Sequence, residues 1–589
     1  MRERLHERPV DVVLFLHSHL PYVLHHGRWP HGSDWLCEAA LETYLPLLDT
    51  LRRLEAAHVD APLTIGVTPV LANQLAHPDF AVEFEAFLAH RLASCRAAAQ
   101  EMAGTHEAPL VPLTAFWEAR LRRMQALWQA LDGDLVGELR RLQRAGRLAL
   151  ASSAATHGFL PLLGRDESIR LQLQLAKREH WRLFGHDPVG CWIPECGYRP
   201  RGKWSPLPGA PGRGVRRGIE EHLADAGFRY FIVDAHAARA GEPLGVYGEH
   251  VLGESERIAE AALPPRRESR KRAPQSPYRT YKVTGLRAAT DVAALVRDPQ
   301  SSIRVWSRGE GYPGDGAYLE FHKMRWPGGL RLWRVTGRDV SLGDKVAYDP
   351  LEARLAVQAH ARDFAELLDG IAEDRRNNAS LITAPFDTEL FGHWWFEGPD
   401  FLGELFGELR QHARLRATTA DVHLARQPAR VTTKLARGSW GRDGDYTMWL
   451  NERVAEMWPV IWELEEAFWN VAPRALATPA AHQLLAQAAR SLLLLQSSDW
   501  PFIVTTGAVS DYALERFAGH ARDTRNLLIG VHEVLAGGDP TAIHALAETL
   551  RQRDDLFPDI LASVADAVGD DLIAIADSGD WAGVGDLDP

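Results

Sequence analysis

Over roughly the first 400 residues, short apolar runs of strand length alternate with longer stretches of helical period, and this alternation constrains the fold more than any other feature. The runs are Val10–His17, Leu63–Thr68, Leu148–Ser153, Gly190–Pro194, Tyr230–Val233, Ile303–Trp306 and Leu381–Phe386. Between them lie helical patterns over Trp35–Ala57, Phe80–Ala103, Thr114–Ala145, Glu167–Phe184 and Leu351–Ile371. Strands that alternate with helices build βαβ units and a mostly parallel sheet. Seven such strands predict an incomplete seven-stranded (β/α) barrel, an α/β fold. A doubly wound open sheet shares the alternation and stays open as the alternative.

From about Asn451 the pattern becomes helical only: Glu452–Ala472, Pro479–Gln496, Asp511–Leu535, Pro540–Arg553 and Pro558–Ile575 carry apolar residues at helical spacing. The expected organisation is a catalytic barrel over residues 1–425, a helical C-terminal domain over 426–576 and a flexible tail over 577–589. An insert at about 237–283 interrupts the barrel pattern. It contains PPRRESRKRAPQSP (Pro264–Pro277), a basic run without apolar period, which reads as a solvated loop or as a lid. The segment Arg201–Gly218, rich in Gly, Pro and Arg, fits no element.

Composition narrows the partners. A net charge of −12 argues against nucleic acid, whose phosphates need a basic face. No apolar leader follows Met1 and no run reaches membrane-spanning length, so the expectation is a cytoplasmic protein with no membrane partner. The four cysteines, Cys37, Cys95, Cys191 and Cys196, form no CxxC pair, which disfavours a zinc knuckle or a disulfide framework. Nineteen tryptophans, several beside Gly, Pro or charged residues, fit indole platforms for the C–H face of a sugar as well as core packing.

The strand ends carry the chemistry. They read HSHLPY (from His17), THGFLP (with His157), PECGY (with Glu195), DAH (Asp234–His236) and FDTELFGHWWFEG (with Asp387, Phe391 and His393). In α/β barrels, loops after the strands converge on one mouth, so five strands ending in His, Glu or Asp describe a site better than a core. Glu195 and Asp387 each follow an apolar strand. Two carboxyl groups with split pKa values, flanking one sugar ring, are what glycosidic-bond chemistry requires. His17 and His19, alternate residues of one strand end, share a face. With Asp387 or Asp234 and another histidine they would suit a metal; as neutral imidazoles they would suit sugar hydroxyls.

Five segments together resemble glycoside hydrolase family 57, and within it the α-1,4-glucan branching members: HSHLPY, THGFLP, WIPECGY, FDTELFGHWWFEGPDFL and SSDWPF (with Asp499). HHGRWPHGSDWL, VWSRGEGYPGDGAY and the region of Trp440 and Trp449 share the likeness. The resemblance implies a seven-stranded barrel whose cleft is completed by the helical domain, with no cofactor and no metal. It makes Glu195 the nucleophile and Asp387 the general acid/base. It places His17, His19, His157, His236, Phe391, His393, Asp499 and Trp500 against substrate, and Trp29, Trp306, Trp440 and Trp449 along glucan subsites. A lid tyrosine is expected in the insert, with Tyr247 as one choice.

A branching reaction breaks an α-1,4 bond and rebuilds an α-1,6 bond without losing the chain to water, so it needs a covalent intermediate. The alternatives are α-glucan hydrolysis or α-1,4 transfer by the same two acids, a metal-dependent deacetylase or mannosidase on a similar barrel, and a non-catalytic glucan binder. The expected partner is α-glucan; the sequence leaves oligomeric state open.

Overall fold

Seven parallel strands carry the first two thirds of the chain: β1 (Val10–Ser18), β2 (Leu63–Val67), β3 (Leu148–Ser153), β4 (Gly190–Trp192), β5 (Tyr230–Val233), β6 (Ala289–Val296) and β7 (Leu381–Asp387). The computed structural model describes residues 8–207, 214–244, 275–284, 289–307, 310–374 and 378–569. Tyr247 and the basic run of the insert lie outside them. The strand order is β7-β1-β2-β3-β4-β5-β6. Three short strands extend this sheet: Tyr281–Thr284 runs antiparallel to β6, Val431–Thr433 pairs with Tyr281–Thr284, and Leu415–Ala417 pairs with the start of β1. The ring is parted between β6 and β7, which meet at one parallel bridge, Arg297 to Thr383. Asp298 N–H donates to Thr383 O there, at 2.8 Å. The incomplete barrel is therefore present, and the open-sheet alternative falls.

Six of the seven expected strands stand where the apolar runs put them. The sixth does not. Ile303–Trp306 is the end of a helix, Pro299–Trp306, and the strand is β6, just before it. Asp298 caps that helix through the N–H groups of Gln300 and Ser301, and Pro299 takes the first turn. A cap followed by proline opens a helix, and a short apolar run alone cannot tell strand from helix. The long helical pattern over Thr114–Ala145 also divides, into Val111–Ala130 and Leu135–Arg144. Asp132 and Gly133 turn with positive φ between them, and Asp134 caps the second helix through Gly137 N–H.

β1 is buried at every residue, as expected of a strand covered on both faces. Helices outside the barrel close one core. A second core starts inside the barrel at Val13, Phe15, Trp192 and Ile232 and runs on without a break into the helices Met457–Leu476, His482–Leu495 and Ser510–Leu535. The helical region is thus fixed to the barrel mouth by shared apolar packing. At the seam, Ser497 bridges Gly158, and Ser498 N–H donates to His157 O at 3.0 Å. The short helix Asp499–Thr506 starts at this point. No described helix is long and apolar enough to cross a membrane.

Candidate active site

Register and turn geometry bring the strand-end residues together. β1 and β7 pair with His17 directly opposite Asp387, so both leave the sheet at one level of the mouth. Beyond β4 the chain makes a tight turn over Pro194–Cys196, in which Glu195 has φ 62° and Cys196 φ 50°. His157, after β3, has φ 57°. Left-handed backbone at non-glycine residues is strained by roughly 1–3 kcal/mol each and persists where surrounding contacts dictate it. Here Trp440 N–H holds Glu195 O at 3.0 Å, and Gly197 N–H holds Pro194 O at 2.8 Å.

The Glu195 side chain, 13% exposed, receives two donors: Trp440 Nε1–H on Oε2 at 2.8 Å and Ser498 Oγ–H on Oε1 at 3.2 Å. Since the Ser498 hydrogen goes to Glu195, Ser498 Oγ accepts from His157 Nδ1, 2.8 Å away. Burial, with the charge of His19, holds the His157 pKa well below the usual range, so the ring is neutral and its Nε2 accepts. The donor to that atom is His17 Nε2, at 3.0 Å. His17 is also kept neutral by burial, and its Nδ1, the acceptor in that tautomer, has no partner among the described residues. The relay His17–His157–Ser498 therefore points every hydrogen toward Glu195.

Asp387 differs. No donor among the described residues bonds its carboxyl group. Burial pushes its pKa well up, the neighbouring Glu389 adds to this, and Arg297 opposes it. Glu195 is pushed up to about 8 by burial, against the Trp440 bond, with Asp387 raising it further. Hydrogen bonds to a carboxylate favour its ionised form. Of these two acids, the one with two donors is the better anion, and Asp387 is the better holder of a proton.

Asp499 completes the cluster. Burial pushes it up, but His19 at 2.9 Å and the Ser497 hydroxyl bring it down to about 2. His19 Nδ1 bonds Thr68 Oγ1 at 3.0 Å, and Thr68 also caps the helix Pro69–Leu75. Glu389 accepts from Tyr44 Oη at 2.6 Å and from His19 N–H at 3.2 Å, which ties the Asp387 turn to β1.

The other expected site residues divide. Trp440 bonds Glu195, and Trp306 lies edge-on to it at 6.2 Å. His236 is buried and bonds Gly444 O at 2.8 Å. Trp29 is 71% exposed and no contact links it to the two acids. Trp449 is fully buried between Phe159 and Phe502, Trp500 is buried under Arg516, and Phe391 packs on Phe386 and Trp395. These three offer no free face to a sugar; apolar burial has claimed them for packing. His393 bonds Glu42 at 2.7 Å, away from the Glu195 group.

Sequence reasoning missed Ser498, Thr68 and Arg297. Ser498 stood inside the SSDWPF motif. Arg297 stood at the end of β6, the strand that periodicity misplaced. It is fully buried, lies 3.7 Å from Asp234 and sits over the Trp440 ring at 5.5 Å. For a metal, His19, His157 and Asp499 offer ligand atoms within 4.8 Å of one another. His157 Nε2 and His19 Nε2 are already engaged with His17 and Asp499, so an ion would have to break the relay. The metal grouping that the sequence left open, His17 and His19 with Asp387 or Asp234, does not occur among the described residues; Asp234 stands with Arg297 and His236.

The same arrangement of segments occurs in known proteins. The profile described as glycosyl hydrolase family 57 matches residues 13–435, and that described as 1,4-alpha-glucan branching enzyme, C-terminal, matches residues 461–564. The 1,4-alpha-glucan branching enzyme of Thermococcus kodakarensis is 37% identical over 547 residues, covering 92% of this chain and 76% of that protein. Its crystal structure, with glucose bound, superposes with TM-score 0.84 at 35% identity, covering 94% and 96% of the two chains. The branching enzyme of Pyrococcus horikoshii gives 0.83 at 34% identity, with 94% and 96% covered. The alpha-amylase AmyC of Thermotoga maritima gives 0.74 at 27% identity, with 95% and 99% covered. A profile match through the whole barrel, joined to identity above 30% along most of both chains, settles descent: the protein belongs to glycosyl hydrolase family 57.

Proposed function

We propose that this protein is a 1,4-α-glucan branching enzyme working by retaining double displacement, with Glu195 as nucleophile and Asp387 as general acid/base. The observation that carries the reading is the asymmetry of two neighbouring buried acids. Glu195 is held by Trp440 and Ser498 at the end of a relay directed at it, while no described residue donates to Asp387. Similarity to branching enzymes along the chain supports the acceptor chemistry.

In the first step a Glu195 oxygen attacks the anomeric carbon. The glycosidic bond breaks, and the leaving oxygen takes the Asp387 proton, so the departing glucan carries a free hydroxyl. The donor chain stays as an ester on Glu195. In the second step the 6-hydroxyl of an acceptor glucan gives its proton to Asp387 and attacks the same carbon, which forms the α-1,6 bond and releases Glu195. His17, His19, His157 and Asp499 would orient ring hydroxyls, and preorganised dipoles of this kind lower the barrier most in a buried site. Trp29 and Trp306 are proposed as platforms for more distant glucose units.

The helical region, proposed as residues 426–576, supplies Trp440, Ser498 and Asp499 to a site whose acids lie within 1–425, with 577–589 as a tail. The four cysteines are free, which fits a reducing compartment, and we place the protein in the cytoplasm.

Incubation with amylose tests the reading. Debranching of the product followed by chain-length analysis should reveal new α-1,6 linkages, absent with Glu195→Gln. A rise in reducing ends without α-1,6 linkages would instead indicate an α-glucan hydrolase. Redistribution of linear chains would indicate 4-α-transfer.

A further inference from the structure

Two loops at the barrel mouth meet in a pair of aromatic rings. One loop leads from Asp387, at the end of β7, into the helix Gly398–Leu409. The other belongs to the connection from β6 to β7, between the helices Pro299–Trp306 and Pro350–Glu373, and carries Phe321. Trp394, in the first loop, is 54% exposed. Its ring packs on Phe321 with centroids 4.5 Å apart and planes 35° from parallel. No described residue bonds the Trp394 indole N–H.

The pair is braced from behind. His393 bonds Glu42 at 2.7 Å, Glu42 pairs with Arg331 at 3.1 Å, and the Arg331 guanidinium lies over the Phe321 ring at 4.5 Å. The His393 ring stands edge-on to Trp394 at 5.4 Å and to Phe321 at 5.2 Å. This circuit holds in place an indole that half faces water. A ring that is already ordered loses little freedom when a ligand stacks on it, so more of the stacking free energy appears as affinity. The platform is also fastened to the acid/base turn: Trp394 N–H donates at 3.2 Å to the carbonyl of Glu389, two residues after Asp387.

Its side of the site follows from the chemistry. A general acid stands beside the glycosidic oxygen, between the sugar that is attacked and the chain that leaves. The donors to Glu195, Trp440 and Ser498, come from the helical side, and Trp306 lies edge-on to Trp440. Trp394 and Phe321 instead belong to the Asp387 side. Glucose units there are the leaving chain in the first step and the acceptor in the second. An indole face suits the C–H face of a pyranose, and its free N–H suits a hydroxyl.

We propose that Trp394 and Phe321 form the platform that binds the acceptor glucan and presents its 6-hydroxyl to Asp387. This rests on the branching reaction proposed above and adds to it the surface that receives the second chain. The ester on Glu195 is open to attack by water or by the acceptor, and a platform that holds the acceptor in place raises the share captured by sugar.

Two measurements test it. The first is the ratio of new α-1,6 linkages to new reducing ends after incubation with amylose. Trp394→Ala should lower this ratio about three- to tenfold, the range for one aromatic stack, and Phe321→Ala should lower it in the same direction. Trp394→Phe keeps a ring on Phe321 and should restore most of the ratio. The second is calorimetry with maltoheptaose in the Glu195→Gln background, where turnover is absent. Adding Trp394→Ala should weaken binding by a similar factor. Unchanged affinity would overturn the proposal. So would an unchanged ratio with weakened affinity, which would put the platform under the donor chain. If the unmodified protein makes no α-1,6 linkage, the branching reaction itself fails, and the calorimetry alone decides whether Trp394 binds glucan.

Discussion

Trp440 Nε1 lies 2.8 Å from Glu195 Oε2, across 245 positions of sequence, so the helical side of the cleft holds an acid that the barrel supplies. The bond favours the carboxylate and opposes the upward push of burial on Glu195. Trp440→Phe keeps an aromatic ring and removes the donor. It should lower kcat/KM about 10- to 100-fold, the range for losing a hydrogen bond to a charged group. Because the nucleophile must be ionised, the acid limb of the kcat/KM profile should also move to higher pH. A fall in rate with an unmoved acid limb would show that Trp440 acts only by packing.

The same electrostatics predict a stability effect. Burial pushes the Glu195 carboxyl up to about 8 in the folded state, against an ordinary value near 4.5. The folded state therefore holds a proton that the unfolded state releases, and stability falls as pH rises from the lower value through the higher one. Glu195→Gln removes this penalty. Its Tm should exceed that of the wild type at pH 8.5, and the gap should shrink as pH falls toward 4.5, while activity is lost throughout. A gap that does not depend on pH would contradict the raised pKa.

Arg297 offers a separable pair of effects. Its charge holds Asp387 below where burial alone would put it, and it faces Asp234 at 3.7 Å in a fully buried setting. Arg297→Met should destabilise the fold by about 3–5 kcal/mol, because the buried Asp234 loses its guanidinium and keeps only His236 and the Ala235 N–H. Asp387 should then hold its proton to higher pH, so the basic limb of the rate profile should move up. Adding Asp234→Asn should restore most of the stability and leave the shifted limb in place. If the double variant recovers both properties, Arg297 acts on Asp387 only through the fold.

Trp449 and Trp29 should respond in opposite ways. Trp449 is fully buried against Phe159, so Trp449→Ala should cost about 3–5 kcal/mol in a denaturant titration. Trp29 is 71% exposed, and Trp29→Ala should change stability by less than about 0.5 kcal/mol. As a glucan platform, its loss should raise KM for amylose several-fold and spare kcat. An unchanged KM would remove Trp29 from the substrate path.

The amino-acid sequence determined the alternation that makes the barrel, because buried parallel strands need continuous apolar runs and the intervening helices need a 3.6-residue period. It also determined which residues follow the strands, since parallel strands of a barrel open on one mouth and His17, Glu195 and Asp387 stand at their ends. It could not place β6, because Ala289–Val296 and Ile303–Trp306 are equally apolar and only the Asp298–Pro299 cap separates them. Arg297 was hidden with that strand. Only the tertiary structure decided which tryptophans face the cleft and which are core, because indoles in similar local sequence differ by what packs on them. It alone joined His17, His157 and Ser498 into a relay toward Glu195, since hydrogen bonds between residues 140 and 341 positions apart leave no trace in periodicity.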